Sequence, residues 1–252
     1  MANGKESIIT KVCKYCSNEF NTYRGKQEFC SKSCSIKARY DDDIGIFNNP
    51  DITEADKMYL LGLIITDGCI SLHKKKWYIT IGTNNIEFAQ KTKEKVCPQR
   101  KLYYSQPRGY EAYQITWKND NDVSVLNSYG IYPRKSLTKK FPCIPDEYIG
   151  CFLRGVFDGD GCIYFDNVKW QNQIYRYKNI SITSGSYDFA VGLKKALEKC
   201  GLHPRLNTDC RKRPHETYYV KLHKQKEINT FFDLIYHNEV SLMLERKYVL
   251  FN

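Results

Sequence analysis

Two aspartates stand at matching points of two apolar, glycine-containing runs. Asp67 is the penultimate residue of YLLGLIITDG and Asp160 that of CFLRGVFDGDG. Each run reads as a helix whose last turn carries the carboxylate. That turn already holds unsatisfied carbonyls and the negative end of the macrodipole, so an aspartate there costs up to about one kcal/mol unless a cation offsets it. Two such carboxylates brought together repel, and hard oxygen ligands select divalent ions such as Mg²⁺ or Mn²⁺. The chemistry open to such a pair is metal-assisted hydrolysis.

A second set lies near the start. Cys13 and Cys16 form a C-x2-C, thirteen residues intervene, and Cys30 and Cys34 form a C-x3-C. Two close pairs around a hairpin-sized insert bring four thiolates within tetrahedral reach of one Zn²⁺. Zinc would supply the folding free energy of a segment too short for its own core. Two disulfides or chance clustering are the rival readings. A closed four-thiolate site leaves no open coordination position, so its role is structural. The start of the second pair, Phe29-Cys30-Ser31, resembles treble-clef-like fingers. Lys11, Lys14, Arg24, Lys26, Lys32, Lys37 and Arg39 would suit phosphates and are equally ordinary surface cations.

Composition frames these sites. The chain has 252 residues, a net charge of +11, 20 Tyr, 12 Phe and 3 Trp, which fits a folded protein with a polyanionic partner or merely a basic surface. No apolar run approaches the roughly eighteen residues of a membrane span. An intracellular location, in the cytoplasm of a bacterium or phage-infected cell or in an organelle, would keep the 11 Cys reduced.

The elements around the aspartates repeat. Gly62 aligns with Gly155, Gly68 with Gly161, Cys69 with Cys162 and Ile70 with Ile163, at the 93-residue separation of Asp67 from Asp160. Downstream, Ile79 and Ile81 correspond to Ile180 and Ile182 in strand-like Ile-x-Ile patterns, followed in each half by a helix, two strands and a last helix. The expected fold is a duplicated α+β domain of two α-β-β-α-β-β-α halves, 53–142 and 143–252, behind a zinc module at 1–40 and a linker at 41–52. Gly62 and Thr66 on one helix, and Gly155 and Gly159 on the other, clear side chains from one face, so the helices can pack backbone against backbone with Asp67 and Asp160 on the pseudo-twofold axis.

Both runs resemble the paired motifs of the LAGLIDADG homing endonucleases in their single-chain form, over roughly residues 53–252. The resemblance places the metal-binding acids on Asp67 and Asp160. Ile65 replaces the earlier Asp of the motif, which Asp158 keeps in the second copy. It also implies a lysine in each half, just before or within the last helix, near the cleavage centre; Lys135 and Lys247 fit, although both could be ordinary surface lysines. The implied activity is a staggered double-strand break, dependent on Mg²⁺ or Mn²⁺, made by a monomer on a long double-stranded DNA target lying across a saddle of antiparallel strands. Strand alternation offers Ser71, His73, Lys76, Tyr78 and Gln114 to that surface in the first half. In the second it offers Tyr164, Lys178, Asn179, Arg205, Asn207, Arg211, Arg213 and Lys221, where a one-residue slip would invert the face. The alternatives are an RNA maturase that binds intron RNA and an inactive DNA-binding regulator. Retention of both aspartates weighs against each.

Overall fold

The computed structural model describes residues 7–40, 43–209, 211, 214–237 and 241–251. The chain forms two compact units, Met1–Asp43 and Ile44–Asn252.

In the first unit, β1 (Ile9–Val12) and β2 (Glu19–Thr22) pair antiparallel with Ile9 opposite Thr22, and α1 (Lys32–Tyr40) follows. Cys13, Thr22 and Asp43 are its only buried residues among those described, and Cys13 alone is apolar. An apolar core cannot hold such a unit, so the four sulfurs are its centre. Lys11 bonds to the carbonyls of Gly25 and Gln27, and Lys14 pairs with Glu28 at 2.7 Å, so these two cations serve the unit itself. The side chain of Arg39 is outside the described residues.

The second unit opens its regular structure with α2 (Glu54–Thr66), started by Thr53, whose side chain accepts from the Asp56 N–H. Met58 to Ile65 are all buried, as expected for a helix packed on every side. The strands β3 (Gly68–His73), β4 (Lys76–Thr83), β5 (Tyr103–Ser105) and β6 (Ala112–Trp117) form an antiparallel sheet in the order β3-β4-β6-β5, with α3 (Ile86–Val96) and α4 (Asp120–Ser128) interspersed along the chain. The second half repeats the plan. After α5 (Ile149–Asp160), the strands β7 (Gly161–Trp170), β8 (Gln173–Ser184), β9 (Arg205–Thr208) and β10 (Tyr218–Leu222) order as β7-β8-β10-β9, joined by α6 (Tyr187–Lys199) and followed by α7 (Gln225–Tyr236) and α8 (Glu245–Val249).

The registers repeat as well. Ile70 faces Ile79 and Gly68 faces Ile81 in the first sheet, while Ile163 faces Ile180 and Gly161 faces Ile182 in the second. These isoleucines, except the half-buried Ile163, lie in one continuous core with α2 and α5.

Residues 44–52 differ from the expected linker. The buried carboxylate of Asp122 accepts the N–H groups of Ile46 and Phe47 and the Trp117 indole N–H, the last at 2.8 Å. Ile46 and Ile52 are buried in the core, so this segment is part of the second unit.

Candidate active site

The two central helices touch main chain to main chain. A methyl group on Gly62 would lie 2.2 Å from the Phe152 carbonyl oxygen, and one on Gly155 would lie 2.0 Å from that of Tyr59. No side chain fits at either position. At the C-terminal ends, a Cβ on Gly159 would lie 2.0 Å from Thr66 Oγ1 and 3.5 Å from the Asp67 carboxyl carbon. Asp67 caps α2 and Asp160 ends α5, so the packing brings both carboxylates to one junction. Burial raises the pKa of Asp67 from its ordinary value and the charge of Asp160 raises it further, while Lys247, Lys139 and Lys135 pull it down.

Those three lysines are buried and answer the negative helix ends. Lys135 donates to the Gly68 carbonyl. Lys247 donates to the carbonyls of Phe157 at 2.7 Å, Asp158 at 2.6 Å and Gly161 at 2.7 Å. Gly68 and Gly161 are equivalent glycines, so the two lysines hold equivalent places. Lys247 lies within the short α8, the last helix of its half, whereas Lys135 follows α4 in a 3-10 turn at Lys135–Leu137, a correction to its expected position before or within the last helix. Burial pushes the pKa of each ammonium down to about 8.

Lys139 was not anticipated. Its Nζ lies 3.2 Å from Asp160 Oδ2 and 3.1 Å from the Ile65 carbonyl, with the Phe189 ring 4.6 Å away. The available signal was its spacing of four from Lys135 within KSLTKK, which puts both on one side of a single turn while Lys140 is exposed. Asp158 has a different role. It is buried and accepts from Tyr59 Oη and the Leu244 N–H, each at 2.9 Å, tying α5 to α2 and to the C-terminal segment. Burial raises it to about 6. Arg154 of the same run is buried, donates to the Ile235 carbonyl at 2.9 Å and sits over the Tyr59 ring.

The sheet faces turned away from the helices follow from the registers. In the first sheet Ser71 pairs with Tyr78 and His73 with Lys76, opposite in parity to buried Ile70 and Ile79, and Gln114 lies on this outer face beside buried Tyr113 and Ile115. In the second sheet Tyr164 pairs with Asn179, Arg205 with Lys221, and Asn207 with Tyr219, all on the outer face. Asn179 is buried there, bonded to Asp166 at 3.0 Å and His223 at 2.8 Å. Lys178 is a correction: it shares parity with Ile180 and Ile182 and bonds to the Phe251 carbonyl on the helix side. Arg211 is exposed and held by Asp209 at 2.8 Å. Arg213 lies outside the described residues.

In the first unit the ligand atoms of Cys13, Cys16, Cys30 and Cys34 all lie within 4.8 Å of one another, with Sγ···Sγ distances of 3.6 Å for Cys16–Cys30 and 3.5 Å for Cys30–Cys34. Tetrahedral ligands at a Zn–S distance of ~2.3 Å would be about 3.8 Å apart, so the donor set fits. Burial raises the Cys13 thiol, but the N–H groups of Cys16, Cys30 and Tyr15 outweigh it and bring the pKa down to about 6.

The family model described as a LAGLIDADG-like domain matches residues 147–236. No curated protein sequence matches the chain. Among solved structures, the meganuclease I-SmaMI bound to uncleavable DNA is similar with a TM-score of 0.56 at 10% identity, over 77% of this chain and 85% of that one. The LAGLIDADG meganuclease I-AabMI bound to uncleaved DNA gives 0.52 at 15% identity, over 76% and 86%. I-SmaMI on an uncleaved DNA target with calcium ions gives 0.52 at 12% identity, over 76% and 86%. Residues 147–236 thus form a LAGLIDADG-like domain, in a chain whose second unit has the duplicated fold of the LAGLIDADG homing endonucleases.

Proposed function

We propose that the chain is a site-specific DNA endonuclease that makes a staggered double-strand break by divalent-metal-dependent hydrolysis. The observation that carries this reading is the junction itself: two carboxylates held together by backbone-packed helices and ringed by three buried lysines. A fold kept only for binding would have no reason to hold two acids against each other's charge. The hard oxygen donors of Asp67 and Asp160 fit Mg²⁺ or Mn²⁺, and the similar I-SmaMI was captured on DNA with calcium ions. Held by Asp67 and Asp160, such an ion would supply an activated water and charge stabilisation for the leaving oxygen.

The protein's own groups do the rest. Lys139 fixes the direction of the Asp160 carboxylate. Lys135 and Lys247 neutralise the helix ends and hold the two glycine turns that carry the aspartates. The outer sheet faces, with Lys76, Arg205 and Lys221 among them, bind the duplex through phosphates and base edges. One chain supplies both carboxylates, so a monomer serves both strands. The first unit holds Zn²⁺ at Cys13, Cys16, Cys30 and Cys34 and adds phosphate contacts.

Cleavage selection from a randomised duplex library with Mg²⁺ tests the proposal. A defined cut site that disappears with EDTA is the expected result; no cleavage of any duplex with Mg²⁺ or Mn²⁺ would refute it.

A further inference from the structure

The two halves differ most in their first hairpins. The strands β7 and β8 run for 10 and 12 residues, against 6 and 8 in β3 and β4. Beyond Phe165 the long hairpin stands clear of the core, turning at Gln171 and Asn172, both at positive φ. Pairing of Asp166 with Tyr177, Val168 with Tyr175 and Trp170 with Gln173 sets one face of this extension, continuous with the outer face at Tyr164 and Asn179.

That face is apolar and open to solvent: Val168 is 46% exposed, Trp170 64%, Tyr175 41% and Tyr177 52%. It carries no cation, since Lys169 and Arg176 lie on the opposite side and Arg176 stacks on Phe165 at 3.9 Å. Its one carboxylate, Asp166, accepts from Asn179. A soluble protein seldom leaves such a strip exposed without a partner.

We propose that the outer part of this hairpin reads thymine methyl groups in the major groove, at the outer end of the half-site bound by the second sheet. The inference rests on the reading of the chain as a DNA endonuclease. A two-stranded ribbon fits the major groove, about 12 Å wide, and not the minor groove, about 6 Å wide. In the major groove the C5 methyl of thymine is the one apolar group a base presents, and contact with it needs no charge. The four extra residues of β7 add about 13 Å, or about four base pairs at ~3.4 Å each. The target should therefore extend about four base pairs further from the cut on the side of the second half, and those positions should be rich in T·A pairs.

The test uses the full chain on its selected site. Thymine is replaced by uracil at the outer positions, which removes only the methyl group, and a triple variant Val168→Ser, Trp170→Ser, Tyr175→Ser is compared. The expected result is an affinity loss of about fourfold per methyl for the natural protein, absent in the variant, which still cuts at the same place. Uracil replacement needs no variant, so misfolding of the variant does not blunt the test. Binding and cutting with no response to uracil overturns this inference alone. So does unchanged hydrogen exchange across residues 166–177 on target binding, which would leave the strip to a protein partner. Failure to bind any duplex overturns it together with the endonuclease reading.

Discussion

Lys139, from the segment that joins the halves, bridges the ends of both central helices: its Nζ reaches the Ile65 carbonyl of α2 at 3.1 Å and Asp160 Oδ2 of α5 at 3.2 Å. Among the described residues Asp67 has no ion pair of this kind. The two carboxylates are therefore unequal, and Lys139→Met should slow the strand served by Asp160 by about tenfold or more while affecting the other less. Strand-specific end labels on a cleavage time course would show nicked duplex accumulating. Equal slowing of both strands would remove the bridge from the account.

Asp67→Asn and Asp160→Asn should each abolish double-strand cleavage and leave DNA affinity within about threefold, because affinity comes from phosphate and base contacts along the sheets. Gel shifts and cleavage assays on the selected target check this. Full cleavage by both variants would place the chemistry elsewhere.

Alanine at Gly62 or Gly155 should destabilise the second unit by roughly 3 kcal/mol or more, since each methyl would meet a carbonyl oxygen on the partner helix. Gly82, where an added Cβ meets nothing within 4 Å, is the control; Gly82→Ala should stay within about 0.5 kcal/mol. Chemical denaturation of the three variants decides between close helix packing and ordinary helix contact.

Burial lowers the Lys247 pKa from 10.5 to about 8. Between these values the unfolded chain holds a proton that the folded chain has released, so stability rises with pH across this window. The contribution is complete above 10.5 and lost as pH falls through about 8. The unfolding free energy of the natural protein relative to Lys247→Met should therefore climb by on the order of 2 kcal/mol from pH 7 to pH 10. A difference that is flat or falls with pH contradicts the burial of this ammonium.

One zinc per chain is expected in the purified, reduced protein, lost on Cys16→Ser or Cys30→Ser. The first unit should then unfold while the second keeps its melting transition, because the sulfur cluster and the large core belong to separate compact units. Elemental analysis with no zinc in the intact protein would end this reading.

Much of the second unit was legible because its signals are local. The Ile-x-Ile pairs set the strand registers, and the repeated glycines and aspartates set the helix contact. What escaped depends on partners far along the chain. Residues 44–52 show no periodicity, and their place in the core comes from Asp122, more than seventy residues on. Lys178 and Asn179 are neighbours in one strand and cannot share a face, so only the pairing of Lys178 with Phe165 and its bond to Phe251 separate them. The resemblance points to Lys135 in KSLTKK and says nothing of Lys139, whose place emerges only when the fold sets its Nζ beside Asp160.

Four residues beyond Lys135 stands Lys139, and four beyond the equivalent Lys247 stands Phe251, whose ring lies 5.6 Å from Phe157 and 5.0 Å from Phe232. A chain made of two first halves would carry a second ammonium there and no such cluster, since Phe157, Phe232 and Phe251 all belong to the second half. One made of two second halves would leave neither aspartate with a bridging cation. The two copies are thus specialised at this one position: the first supplies the ammonium that bridges both helix ends, and the second supplies a ring to its own aromatic cluster.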